Sequence, residues 1–157
     1  MIVACRLRLA VVPALLAVAL GACSSAPTRP QTAEVGTRAA EHALRMVGVP
    51  YRYGGSSPRG FDCSGLVQYS YARAGARIPR STKAQRARSH PVSRRQLRRG
   101  DLLFFNQEGK RASHVGIYLG NNRFVHAPSS GKSVYVADIT DPYWRRHFHE
   151  ARRPLIE

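Results

Sequence analysis

Cys63, His114 and His126 are the side-chain types that nucleophilic acyl transfer on sulfur needs. A thiol attacks as thiolate, and the two usual means of favouring that form are a helix N-terminus and an adjacent imidazole. Phe61-Asp62-Cys63-Ser64-Gly65 leads into Leu66-Val67-Gln68-Tyr69-Ser70-Tyr71-Ala72, whose apolar residues recur at helical spacing. This puts Cys63 on the first turn of a helix, with Asp62 as N-cap. The unpaired N–H groups there predict a depressed thiol pKa. Most single cysteines are inert packing, so the pentapeptide alone does not define an active site.

The histidines fall on strands. In His114-Val115-Gly116-Ile117-Tyr118-Leu119 the apolar Val115, Ile117 and Leu119 share one face, which leaves His114, Gly116 and Tyr118 on the other. A third polar group such as His126 serves such a site by bonding the ring nitrogen of the base that faces away from sulfur. Both histidines reach one face only if the hairpin between their strands has an odd offset. The expectation is a three-residue loop, Gly120-Asn121-Asn122, with Leu119 opposite Arg123, Asn122 left-handed and His126 opposite Gly116. Zinc is the other use of two histidines, but no carboxylate or third histidine at ligand spacing accompanies them, so no metal or cofactor is expected.

Around these residues the pattern predicts helices over 33–47, from Cys63 to near Gly75, over 82–88 with Ser81 as N-cap, and over 141–146. Strands are predicted at 101–106, 114–119, 123–127, 133–137 and 148–153, while 50–60 and the basic stretch 89–100 read as loops. Helices first and strands after give an α+β fold, N-terminal helices on an antiparallel sheet of about five to six strands.

Residues 1–22 have the form of an export signal: Arg6 and Arg8, an apolar run from Leu9 to Leu20, then small residues. Leu20-Gly21-Ala22-Cys23 is the pattern of a bacterial lipobox, so Cys23 is expected to be lipidated and to anchor the chain in the membrane. Residues 23–32, rich in Ser, Pro and Thr, read as a flexible tether, and 33–157 as one catalytic domain. On this reading Cys5 leaves with the signal and Cys23 becomes a thioether, so Cys63 is the one free thiol of an exported chain. The formal net charge is +16, with Arg94, Arg95, Arg98 and Arg99 the densest cluster. No groove-reading module accompanies it, so anionic envelope surfaces are the expected partners and nucleic acid is not. A monomer is expected.

Pro50-Tyr51 with Gly54-Gly55, Asp62-Cys63-Ser64-Gly65, Gly100-Asp101-Leu102, Ser113-His114-Val115-Gly116-Ile117-Tyr118, Gly120-Asn121-Asn122-Arg123-Phe124-Val125-His126-Ala127 and Tyr143-Trp144-Arg145 together resemble the NlpC family of papain-like cell-wall peptidases. The resemblance runs from about residue 37 to the C-terminus. It implies a papain-like fold, with Cys63 as nucleophile, His114 as general base, His126 orienting it, and Tyr51 in the pocket beside the Cys63 N–H as oxyanion donor. It also implies substrate contacts by Asp62, Ser64, Arg80 and Ser113. The implied activity is a peptidoglycan endopeptidase cleaving stem peptides or cross-links, lipid-anchored in the bacterial envelope and facing the periplasm from the outer membrane. One departure is Arg99, where the family often has proline before Gly-Asp-Leu. Two other classes stay open: a non-catalytic wall-binding scaffold, and a lipid-directed acyltransferase or thioesterase on the same fold.

Overall fold

A computed structural model describes residues 30–156; the signal-like segment, Cys23 and Glu157 lie outside them. The first helix, α1 (Pro30–Leu44), buries Ala39, Ala40 and Ala43 and carries the expected Glu34–Arg38 pair at 2.7 Å. It begins inside the stretch read as tether, so residues 30–32 are helical. It also stops before Val47, because the chain turns to let the Gly48 N–H donate to the Val134 carbonyl at 2.9 Å.

The segment read as a loop at 50–60 contains a two-stranded ribbon, β1 (Ser56–Ser57) and β2 (Gly60–Phe61), and then enters α2 (Cys63–Arg73). After α3 (Thr82–Ala87), capped by Ser81, come β3 (Ser89–Val92), β4 (Leu102–Gln107), β5 (Lys110–Gly120), β6 (Arg123–His126), β7 (Tyr135–Asp138), α4 (Pro142–His147) and β8 (Phe148–Pro154). The six-stranded sheet has the order β3-β8-β4-β5-β6-β7, antiparallel throughout. The unforeseen member is β3, in the stretch read as a basic loop. Its polar, proline-containing Ser89-His90-Pro91-Val92 has no strand pattern of its own and is ordered as an edge by pairing with β8.

One face of the sheet packs Val115, Ile117, Leu119 and Val125 against Leu66, Val67 and Tyr71 of α2 and the alanines of α1. The other gathers Leu103, Phe105, Tyr118 and Phe124 under Trp144 of α4. The alternation along β5 therefore divides the two cores as expected. α1 reaches the sheet by backbone contact: a Cβ on Gly100 would stand 2.4 Å from the Gly36 Cα, and Gly100 has φ +99°. The Tyr71 hydroxyl locks this junction by donating to the Gly100 carbonyl at 2.6 Å.

Candidate active site

The site forms where the start of α2 meets the start of α3, the middle of β5 and the end of β6. Asp62 caps α2 as expected, its Oδ1 accepting from the Gly65 N–H at 2.7 Å. Arg80 donates to both Asp62 oxygens at 2.9 and 2.5 Å and to Ser64 Oγ at 2.9 Å, and the Gly54 N–H reaches Asp62 Oδ2 at 3.0 Å. Asp62, Ser64 and Arg80, the expected substrate contacts, are thus bonded to one another in a wall beside Cys63. A Cβ on Gly65 would stand 2.0 Å from the Gly55 carbonyl oxygen, so the Gly-Gly loop lies directly on the first turn of α2.

Cys63 is a half-buried free thiol whose sulfur lies 3.8 Å from Thr82 Oγ1. The backbone N–H groups of Ser64 and Val115 act on the thiol to lower its pKa. The Val115 donor is available for a topological reason. Tyr118 exchanges its N–H and carbonyl with Asp101 and Gly100 on the β4 side, so alternate residues of β5 turn theirs towards β6. Ile117 meets Val125 there, but β6 ends at His126, and Val115 lies beyond the last pair. The Val115 N–H is therefore left outside the β6 ladder.

His114 Nε2 and His126 Nδ1 are 2.8 Å apart, and both rings are buried. Register brings them together, though by another turn than expected. The loop is two residues, Asn121 and Asn122, both left-handed at φ 49° and 61°, as in a type I′ turn. Gly120 faces Arg123, and a bulge between Tyr118 and Gly120 then restores the pairings Tyr118 with Phe124 and Ile117 with Val125. The bulge supplies the odd residue that the loop does not. Gly116 makes room for Phe124, whose ring atom would lie 2.6 Å from a Cβ there.

For His114 to take a proton through Nδ1, its own proton must sit on Nε2 and be donated to His126 Nδ1. The His126 proton is then on Nε2, a buried atom with no hydrogen-bond partner among the described residues. Its surroundings are aromatic: the Tyr135 and Trp144 rings are steeply inclined to it, with centroids at 4.4 and 4.7 Å. Ring faces carry the negative side of the aromatic quadrupole, which suits an N–H edge. Trp144 also stacks on His114 at 5.9 Å.

Burial holds both imidazoles neutral, pushing His114 down to about 4 and His126 lower still, with the positive charge of His114 adding to the effect on His126. Burial also pushes the Cys63 thiol up, while the bonds from Thr82, Val115 and Ser64 hold it down. The balance is upward, against the expectation from the helix start, because burial of the sulfur outweighs those donors and the buried imidazole of His114 carries no charge. Tyr51 is half-buried; burial first, then the nearby charges of Cys63 and Asp62, push its phenol up. The Ser113 hydroxyl bonds the backbone of Gln107 and Lys110 inside the β4–β5 hairpin and reaches none of the other site residues.

Three residues at the site carry no role in the sequence reading. Thr82 looks like the opening of a short helix, yet it meets the sulfur. Gln85, buried on α3, donates to the carbonyls of Ser64 and Pro79, each at 2.9 Å, and so fixes α3 to the cysteine turn. Trp144 covers both histidines; its place as the single tryptophan of the chain was the available signal.

A thiol on the first turn of a helix, set against an antiparallel sheet that carries a histidine pair, defines a papain-like domain. The NlpC/P60 family model matches residues 48–153, and the chain belongs to that family. Among its relatives, murein DD-endopeptidase MepS/murein LD-carboxypeptidase of Escherichia coli K12 is 44% identical over 123 residues, covering 78% of this chain and 64% of that protein. Murein DD-endopeptidase MepH of the same organism is 43% identical over 117 residues, covering 71% of this chain and 43% of that one. A crystal structure of an NLP/P60-family protein from Staphylococcus aureus Mu50, described as similar to lipoprotein, superposes with a TM-score of 0.68 at 36% identity, over 85% of this chain and 44% of that one. The chain thus matches under two thirds of the length of both E. coli relatives.

Proposed function

We propose that this protein is a cysteine peptidase of the bacterial envelope that hydrolyses an amide bond in peptidoglycan stem peptides or cross-links. The observation that carries the reading is Cys63 at the start of α2, packed on the strand that carries His114, with His114 paired to His126 at 2.8 Å. The relatives named as murein endopeptidases support the substrate class.

Cys63 Sγ attacks the carbonyl carbon while its proton passes to His114 Nδ1. The oxyanion is met by the Cys63 N–H at the start of α2, joined by the Tyr51 hydroxyl. His114 then gives its proton to the departing nitrogen, the C–N bond breaks, and a thioester remains on Cys63. Water, deprotonated by His114, hydrolyses it and restores the thiol. His126 keeps the His114 tautomer and ring plane through both steps. Asp62, Ser64 and Arg80 shape the wall along which the peptide lies.

A defined cross-linked muropeptide should be cleaved by the wild-type protein and left intact by Cys63→Ala, with the bond identified from product masses. An intact substrate with wild type would favour a wall-binding scaffold, and acyl transfer among lipid extracts would favour a lipid-directed enzyme. The lipobox pattern supports anchoring through Cys23, and Ser24 at the next position supports outer-membrane sorting. A fatty-acid analogue should label wild type and not Cys23→Ala.

A further inference from the structure

A cavity of about 430 Å³ lies beyond the histidine pair, walled by Lys132, Ser129, Tyr135, Tyr143, Trp144 and Glu108. It is separate from the wall built by Asp62, Ser64 and Arg80. Two of its walls belong to the histidine site, since Trp144 stacks on His114 and both Tyr135 and Trp144 pack on His126. The loop that carries Lys132 is pinned, its carbonyl accepting from the Tyr51 N–H at 2.8 Å and its N–H donating to the Ser129 carbonyl at 3.2 Å. The Lys132 ammonium has no hydrogen-bond or ion-pair partner among the described residues, and its charge is felt at His126.

The chemistry of this wall is donor-rich. Tyr143 Oη accepts from Gln107 Nε2 at 3.2 Å, which leaves its own O–H to donate. Tyr135, Ser129 and Lys132 add further donors, against the single carboxylate of Glu108 on the hairpin side. The position relative to the reaction follows from the proton path. His114 protonates the leaving nitrogen, so the fragment bearing that nitrogen lies on the histidine and Trp144 side of the thiol.

We propose that this cavity is the leaving-side subsite and that Lys132 binds a free carboxylate on the amino acid whose nitrogen departs. The proposal rests on the peptidase reading above and adds a specificity-determining residue to it. Glu108 repels a second anionic group and confines the carboxylate to the Lys132 wall. Lys132 is a binding residue here and takes no part in bond breaking, so its effect belongs in KM.

The test uses matched muropeptide substrates whose leaving-side residue carries either a free carboxylate or the corresponding primary amide. For the free carboxylate, Lys132→Ala should raise KM about tenfold with kcat little changed, the size expected for one charge-assisted hydrogen bond. Lys132→Arg should restore most of the loss, and the amide should be cleaved equally by wild type and Lys132→Ala. Equal KM values for the acid and the amide with wild type would overturn the assignment. So would a KM that depends on Glu108 and on a free ammonium of the substrate but not on Lys132. Loss of cleavage of both substrates by wild type would instead mark failure of the peptidase reading itself.

Discussion

At Cys63 two effects of opposite sign meet. The α2 N-terminus and its N–H donors favour thiolate, while burial among apolar neighbours favours thiol, and burial is the larger. The buried imidazole of His114 supplies no compensating charge in the ligand-free protein. Alkylation of the ligand-free protein by iodoacetamide should therefore inflect at or above the free-cysteine value of about 8.5. Thr82→Val removes a bond to the sulfur and should move the inflection further up. An inflection well below the free value would mean that a thiolate–imidazolium pair already exists before substrate binds. The residue types and the cap were readable in advance because they are local. The burial that reverses the thiol's direction was not, since it is set by residues far apart in the chain.

The β5–β6 hairpin decides whether His126 shares a face with His114. Two left-handed asparagines close the turn, and the bulge after Tyr118 shifts the register by one residue. Asn121→Gly and Asn122→Gly should leave stability nearly unchanged. Asn122→Val forces a β-branched side chain into positive φ and should cost about 1 to 2 kcal/mol. Its turnover of a muropeptide should fall with stability, because strain there acts on the register that pairs the histidines. Urea midpoints and turnover measured on the same samples check both halves; lost stability with full turnover would uncouple turn from register. The odd offset was deducible from requiring the two histidines to meet. Its division between turn and bulge was not, because both solutions satisfy the alternation of side chains.

Across the whole molecule, α1 is held on the sheet by the approach of Gly36 to Gly100. Gly100→Ala meets both a positive φ and a backbone contact, and should lower stability by about 2 to 4 kcal/mol. Gly131→Ala, also at positive φ but with nothing within 4 Å of the added carbon, should cost only about 1 kcal/mol. Equal losses in urea denaturation would mean that the junction with α1 is not what Gly100 serves. The buried histidines give the fold a second global property. Their folded pKa values lie below the unfolded value of about 6.5, so the unfolded chain binds more protons as the pH falls. Their neutral burial is compatible with full stability above that pH, and stability is lost on acidification from about 6.5 towards the folded value, about 4 for His114. Between pH 6.5 and 4.5, before most carboxylates titrate, the wild-type urea midpoint should fall more steeply than that of His126→Gln. Parallel profiles would show that the pair is not held neutral.

The sequence by itself determined the helix that begins at Cys63, the cap at Asp62, the alternation that puts His114 and Val115 on opposite faces, and the order of helices before strands. Each of these depends on interactions within a few residues, where periodicity, capping and turn chemistry leave a direct trace. Only the tertiary structure decided that Ser89–Val92 becomes a sheet edge against β8, that β6 ends early enough to free the Val115 N–H for the sulfur, and that Thr82 and Trp144 close on the site. It also decided that Asp62 and Arg80 bond each other, and that Lys132 stands over a cavity beyond the histidines. These outcomes depend on which distant segments pack together, and a strand's end or a side chain's burial has no local signature when its cause lies dozens of residues away.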